Sequence, residues 1–424
     1  MKSLLPQPPS KMNFKAAISL MIALLGSLGP LQAERVFYGG VAFVGSYEDF
    51  SENYTFTYPL SLDESKGWSA LQKRFFTGID QISKDLKNFE LETQDLATLE
   101  DGNTLVLALA IDGESSSTYH VGSEELGIDI YKMTADLSAQ ILIFDYQSKT
   151  VVSSFPILLR LVSAKNGVSP SPDDFKELYR RMLFDDGSSV NLLDAFSNAL
   201  REINVSRKNS GRIQVRKVTI EEKADKWLPE FYLERKSRLE NLMGRGFTKY
   251  LAENTGANTL PYIGFSTGLA HEKRNLTNAG AAIGGAMAMR FSGGEVFNLV
   301  IPEPDYVVDL SMRGFSKSKG KENTGGQSWI YGSYINLQVL QPTLGKVYFD
   351  ENLKNVFVSV LVKGFPSSKG EDWNSFNEAT NVLFDMVTRN FQKRPDRRWA
   401  KAHGSGKSTA SGLAAVAKIL EKCK

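Results

Sequence analysis

One order of strands and helices occurs twice in this chain, and that repetition limits the fold more than any other feature of the sequence. In the first occurrence Met133, Ala135, Leu137, Ala139, Ile141 and Ile143 alternate with Lys132, Thr134, Asp136, Ser138 and Gln140. That is the period of a half-buried antiparallel strand. "TLVLALAIDG" (Thr104 to Gly113) precedes it and "KTVVSSFPILLRLV" (Lys149 to Val162) follows, so three strands form a meander. Upstream, Trp68, Leu71, Phe75, Ile79, Ile82 and Leu86 recur at helical spacing, and downstream "DDFKELYRRMLF" and "VNLLDAFSNALREINV" read as helices, the first capped by Asp173 or Asp174.

The same pieces return about two hundred residues later. "GVAFVG" (Gly40 to Gly45) is answered by "YIGFSTG" (Tyr262 to Gly268), and "TLVLALAIDG" by "DYVVDLSMRG" (Asp305 to Gly314). "LSAQILIFDYQSKTVV" is answered by "GSYINLQVLQPTLGKVY", with "VFVSVLVKGF" as third strand and "WNSFNEATNVLFDMVTRNF" as closing helix. The pattern predicts an α+β chain, an α/β sandwich of two tandem domains, each an antiparallel β-meander sheet with packed helices. The first domain spans residues 34–205 and the second 258–393. Between them, 206–257 reads as a charged helical connector, and 394–424 as a basic flexible tail with a short helix. The small-residue run "AGAAIGGAMAMRF" (Ala279 to Phe291) reads as a helix packed closely on the second sheet.

Residues 1–33 have the form of a secretory signal peptide: lysines, an apolar run from Ala16 to Leu28, the breaker Gly29-Pro30 and a small residue at Ala33. The run falls short of the roughly 20 apolar residues of a spanning helix. A periplasmic protein is expected, without a lipid anchor because no cysteine follows Ala33. Cys423 is the single cysteine of the 424 residues, so an internal disulfide is excluded and a free or intermolecular thiol is left open.

This order of elements resembles the CsgG family of curli secretion components and the related amino-terminal domain of TolB. The second copy carries the resemblance best. "PDYVVDLSMRGFSKSK" is similar to that family's strand with an Ala-Asp-Tyr-type start, and "INLQVLQPTLGKVY" to its hairpin with a Thr-Gly-Glu turn. Pore-forming members carry a lipid-modified cysteine where this chain has Glu34, and a membrane barrel needs apolar alternation over about 10 residues per strand. "ESSSTYHVGSEELG" and "SKSKGKENTGGQ" are too polar for that. The resemblance therefore implies a soluble relative and not a channel.

Two stretches and a few scattered residues invite a chemical reading. "HGSGKST" (His403 to Thr409) looks like a phosphate loop, but the glycine required five residues ahead of the Gly406-Lys407 pair is Lys401, and charged "KRPDRRWAKA" precedes it instead of a strand. "GFSTG" fits a nucleophile elbow with Ser266 as nucleophile and His403 as distant base, yet a polar loop follows it where a helix is needed. His120, His271 and His403 lack zinc-helix spacing, and Glu124-Glu125 and Asp173-Asp174 read as surface charge and helix capping.

No catalytic, cofactor-binding or metal-binding residue is assigned. The leading expectation is a non-enzymatic periplasmic adaptor, or assembly or secretion accessory, whose partners are envelope proteins or assembly machinery; a homo-oligomer is compatible with it. The alternatives are a serine hydrolase centred on Ser266, and a binder of anionic envelope polymers or lipids through Arg389, Lys393, Arg394, Arg397, Arg398, Lys401 and Lys407, with nucleic acid disfavoured by the expected compartment.

Cleavage after Ala33 has a direct check. Amino-terminal sequencing of the protein from the periplasmic fraction is expected to begin at Glu34. A full-length species held in the inner membrane contradicts it.

Overall fold

The computed structural model describes residues 34–45, 47–62, 69–93, 104–123, 127–203, 205, 210–264, 285–291, 294–323, 326–362 and 369–424. Its two sheets share one plan. Strand β1 (Glu34–Val44) runs beside β2 (Phe89–Thr93) and parallel to β3 (Leu105–Ser123), which continues antiparallel into β4 (Ile128–Asp145) and β5 (Val151–Asn166). Two chain segments later, β6 (Ile213–Ile220) runs parallel to β10 (Tyr306–Asn323), followed antiparallel by β11 (Gly326–Gln341) and β12 (Lys346–Val362). Parallel neighbours need a crossover. Helix α1 (Ala70–Ile82) lies in the first crossover; the chain then adds α2 (Pro172–Phe184), α3 (Leu192–Glu202) and α4 (Lys236–Thr255), the last within the second crossover. The repeat extends to irregularities: the pairing slips between Ile111 and Gly113 in one copy and between Met312 and Gly314 in the other. Those glycines end "TLVLALAIDG" and "DYVVDLSMRG", which the sequence already aligned.

The mixed α+β class is as expected, but three local readings need correction. The opening strand of the second copy is β6, inside the stretch read as a helical connector. Ile213, Val215, Val218 and Ile220 are buried, while Arg216 pairs with Asp309 of β10, Nε to Oδ1 at 3.0 Å. A cross-strand partner thus holds charge on a strand that composition alone makes look like a solvated helix. Of the strand expected at Tyr262–Gly268, only Tyr262, Ile263 and Gly264 are described, and they are not in a strand; Thr259–Leu260 form the short β7.

Second, the expected helix over Ala279–Phe291 is a strand where it is described. β8 (Gly285–Phe291) pairs antiparallel with β1, Val44 facing Met289, and β9 (Val296–Ile301) pairs with β8. The first sheet therefore runs β5-β4-β3-β1-β8-β9 and takes two strands from the second half of the sequence. The alternation on β3 explains the fit. Leu105, Leu107, Leu109 and Ile111 join Phe75, Ile79, Tyr179 and Phe196 of α1 to α3 in one core. Val106, Ala108 and Ala110, with Ala42, form the opposite face, and Met287, Met289, Phe291, Leu299 and Ile301 cover it. Small side chains let the sheet curl until the hairpin meets this face, β9 bridging back to Thr150 at the start of β5 through Val300. Ser171 caps α2 in a reciprocal box with Asp174, so Asp174 serves at the third helical position and not as the cap. Glu124-Glu125 and His271 lie outside the described residues.

Third, the tail is ordered. After α5 (Lys369–Arg389), helices α6 (Arg397–His403) and α7 (Lys407–Leu420) set Trp399, Ala400, Leu413, Val416, Ile419 and Leu420 into the core of the second sheet. The apolar spacing that promised one short helix thus buries two. Main-chain bonds pin the end of the chain, Gly211 N to Lys422 O at 2.6 Å and Asn258 N to Cys423 O at 2.5 Å. Cys423 is buried, and burial pushes its thiol up to about 12, which leaves no thiolate for an intermolecular disulfide. Among the described residues no helix is long and apolar enough to cross a membrane.

Arg35–Lys424 form one compact unit, so the halves are expected to unfold together. Met289→Ala, on β8, should cost about 2–5 kcal/mol. Four of the five tryptophans, Trp227, Trp329, Trp373 and Trp399, lie in the second half, so their fluorescence should shift in denaturant as far as the far-ultraviolet circular dichroism does. A tryptophan transition left in place by Met289→Ala contradicts the shared sheet.

Candidate functional site: a polar cleft in the seam

The polar row of β4 does not face open water. Thr134, Ser138 and Gln140 are buried, at 4, 9 and 3 % exposure, because α4 of the second half lies across the first sheet. Buried polar groups must find partners, and Ser138 and Gln140 find theirs within the seam, while Thr134 Oγ1 is buried without a hydrogen-bond partner among the described residues. Asp112 accepts from Ser138 Oγ at 2.5 Å and from Gln140 Nε2 at 3.1 Å, and Ser154 Oγ donates to Gln140 Oε1 at 2.8 Å. Arg245, from α4, reaches the same carboxylate at 3.3 Å and donates from Nη2 to the Asp112 carbonyl at 2.7 Å. Gly113 permits this approach: a Cβ there would sit 2.6 Å from Arg245 Nη1. A second pair lies two residues along β4, where Arg160 grips Asp136 with Nε and Nη2 at 2.6 and 3.0 Å. Burial works against the Arg160 charge, but Asp136 more than offsets it and holds the guanidinium above its ordinary value.

These groups line a cleft of about 670 Å³ between the first sheet and helices α4 and α5. Asp112, Asp136, Arg160 and Arg245 are in its lining, together with Asn241 of α4 and Asn381 of α5. Glu114, also in the lining, accepts from the Phe56 and Thr57 amides at 2.9 and 2.8 Å and from Thr57 Oγ1 at 2.7 Å. The first turn of α5 is fixed by both long hairpins. Lys132 of β4 pairs with Glu371, and Lys317 of β10 reaches both Asp372 oxygens at 2.7 and 2.9 Å, with Tyr331 donating to Asp372 at 2.8 Å. Acidic groups there also suit the positive end of the helix. The arrangement offers rigid donors and acceptors to a ligand, with Asp112 and Asp136 matched by Arg245 and Arg160 and Glu114 held by neutral donors.

Of the residues weighed from sequence, those that are described lie elsewhere. Ser266 is outside the described residues, and His403 Nδ1 sits 2.9 Å from the Lys354 carbonyl with its ring stacked on Trp399. His120 pairs with Asp129 at 2.7 Å on the first hairpin. Among the described residues no cluster of His, Cys, Asp and Glu could hold a metal ion. The Lys407 loop follows helix α6 and not a strand; Ser405 N donates to Thr409 Oγ1 at 2.7 Å, and Ser408 at the start of α7 is bound to Glu351. The Ser405 amide is thus engaged internally, and the Glu351 carboxylate at Ser408 opposes an anion at the start of α7. Sequence reasoning missed Arg245, Arg160 and Asp112 as a group. The only trace was a charge interrupting each of the runs "LALAIDG" and "PILLRLV".

No family model matches the chain, and no curated protein does. Solved structures give partial matches. A neuraminyllactose-binding hemagglutinin homologue of Helicobacter pylori shares 10% identity over 42% of this chain and 87% of its own, with a TM-score of 0.27. A minor lipoprotein of Acinetobacter baumannii shares 9% over 41% and 93%, TM-score 0.21. A hypothetical protein of Chlamydia trachomatis shares 12% over 42% and 92%, TM-score 0.23. At these TM-scores they assign the chain neither a family nor a function.

Burial raises the Glu114 carboxyl above its ordinary 4.5, against the hydrogen bonds it accepts from Thr57 and Phe56. The sign follows from linkage: that contribution to stability is fully present below about pH 4.5 and is lost as pH rises through the folded value. Glu114→Gln is expected to remove part of the fall in urea midpoint just above that pH. Superimposable profiles of variant and wild type contradict it.

Proposed function

We propose that this protein is a non-enzymatic adaptor of the cell envelope, working in the periplasm, and that it holds a partner's segment in the seam cleft. The single observation that carries the reading is the make-up of the cleft. It is shared by both halves, and Asp112, Asp136, Arg160 and Arg245 are committed to fixed pairs. A general acid or base must exchange protons during turnover, whereas groups locked in such pairs serve recognition by shape and hydrogen bonding. The doubled strand, crossover and meander plan supports the likeness to CsgG and the amino-terminal domain of TolB. The β3 and β10 strands of the long hairpins end in polar runs, in keeping with a relative that forms no pore, while β12 beside the second leaves Val356, Val358 and Val360 exposed.

An adaptor of this kind does not need two independent modules. Because β8 and β9 complete the first sheet, the halves act as one body and the partner site is the seam itself.

A photo-reactive residue placed at Glu378 or Asn381, both in the cleft lining, is expected to give one common adduct in cells that make the protein. The same probe at exposed Lys176 on α2 should give none of it. Adducts of equal yield from Lys176, or none from the cleft positions, would remove the support for this function.

A further inference from the structure

The charge of the chain is unevenly placed. Residues 394–424 contain eight Lys and Arg against two Asp and Glu, while the other 393 residues contain 42 against 46. The fold turns this tail into a fixed surface. Trp399, Ala400, Leu413 and Val416 anchor α6 and α7 in the core, which leaves Arg394, Arg397, Arg398, Lys401 and Lys407 exposed on the other side. Among the described residues none of these five takes part in a salt bridge, whereas neighbouring Lys393 is held by Glu421 at 2.9 Å. Of the acidic residues beside the patch, Asp396 spends Oδ1 on the Arg398 and Trp399 amides as the cap of α6, and Glu351 accepts from Ser408 Oγ.

We propose that this preformed basic face docks the protein on an anionic lipid bilayer. Five fixed cations on an otherwise slightly acidic body both attract such a surface and orient the molecule toward it, since the rest of the protein is repelled. Three observations favour a bilayer over other polyanions. The patch runs from the bend at Arg394 along α6 to the first residue of α7, and none of its residues lines the cleft, so a broad surface fits it better than a single strand of polymer does. Trp399, the aromatic residue that could have stacked on a base, is 7% exposed and faces His403. No large apolar side chain is exposed in residues 394–424, so the attachment is electrostatic, without insertion, and is screened by salt.

The test uses the mature chain and sedimentation with vesicles of phosphatidylcholine alone or mixed with phosphatidylglycerol. Binding is expected only to the mixed vesicles and should vanish at high salt. Arg394→Gln, Arg397→Gln and Lys401→Gln together should weaken it on the order of 100-fold, at about fivefold per basic residue near the surface. Lys84→Gln, Lys87→Gln and Lys176→Gln, which remove equal charge from exposed sites elsewhere, should leave it unchanged, and matching thermal unfolding of the two triple variants confirms that both are folded. Equal binding to both vesicle types, equal losses in the two triple variants, or capture by a soluble anionic polymer without capture by the mixed vesicles would each overturn the proposal.

Discussion

A carboxylate buried beneath a helix cannot stand alone, and the placing of Asp112 sets much of this architecture. Its side chain is 5% exposed and that of Arg245 is 16% exposed, so both groups have left most of their hydration behind. Removing one partner of such a pair typically costs about 3–5 kcal/mol, because the other is left charged and dry. The bulge at Gly113 turns Asp112 toward the seam, Ser138 and Gln140 saturate its oxygens, and α4 must lie where Arg245 can reach it. Once α4 is fixed across the first sheet, its opposite side is committed to the second, since Leu239, Met243, Phe247 and Leu251 belong to that core. One helix therefore serves both halves, and the cleft is the space that remains beside it.

The repeated plan was legible in the sequence because it is written in periodicity, which survives even where the residues differ. The meanders, the bulge glycines and the helices of the first half follow from local alternation. What could not be read were features decided by distant partners. Arg216 makes β6 look like part of a charged helix until Asp309 of β10 stands beside it. The alanines and glycines near β8 resemble a close-packed helix until the facing Ala108 and Ala110 show that a strand fits. On β4 the apolar face was assigned correctly, but its polar face reads as solvated until a second half covers it. The candidate site was hidden for the same reason: Asp112 and Arg245 are 133 positions apart, and nothing local marks either as the other's partner.

The tail shows the converse. Its basic composition suggested a flexible extension, yet Trp399, Leu413, Val416 and Leu420 recur at spacings that bury one side of two helices. Charge described the outside of the segment correctly and said nothing of its inside. For function, the consequence is a body with two separate surfaces: a neutral, internally paired cleft and a rigid cationic face.

The buried Asp112–Arg245 pair couples the two halves. The direct measurement is a double-mutant cycle in equilibrium denaturation with Asp112→Asn, Arg245→Met and the two combined. A coupling energy of about 1–3 kcal/mol, with either single change nearly as harmful as both, is the predicted result. Additivity within about 0.5 kcal/mol would show that the seam forms without this interaction and would contradict the central claim.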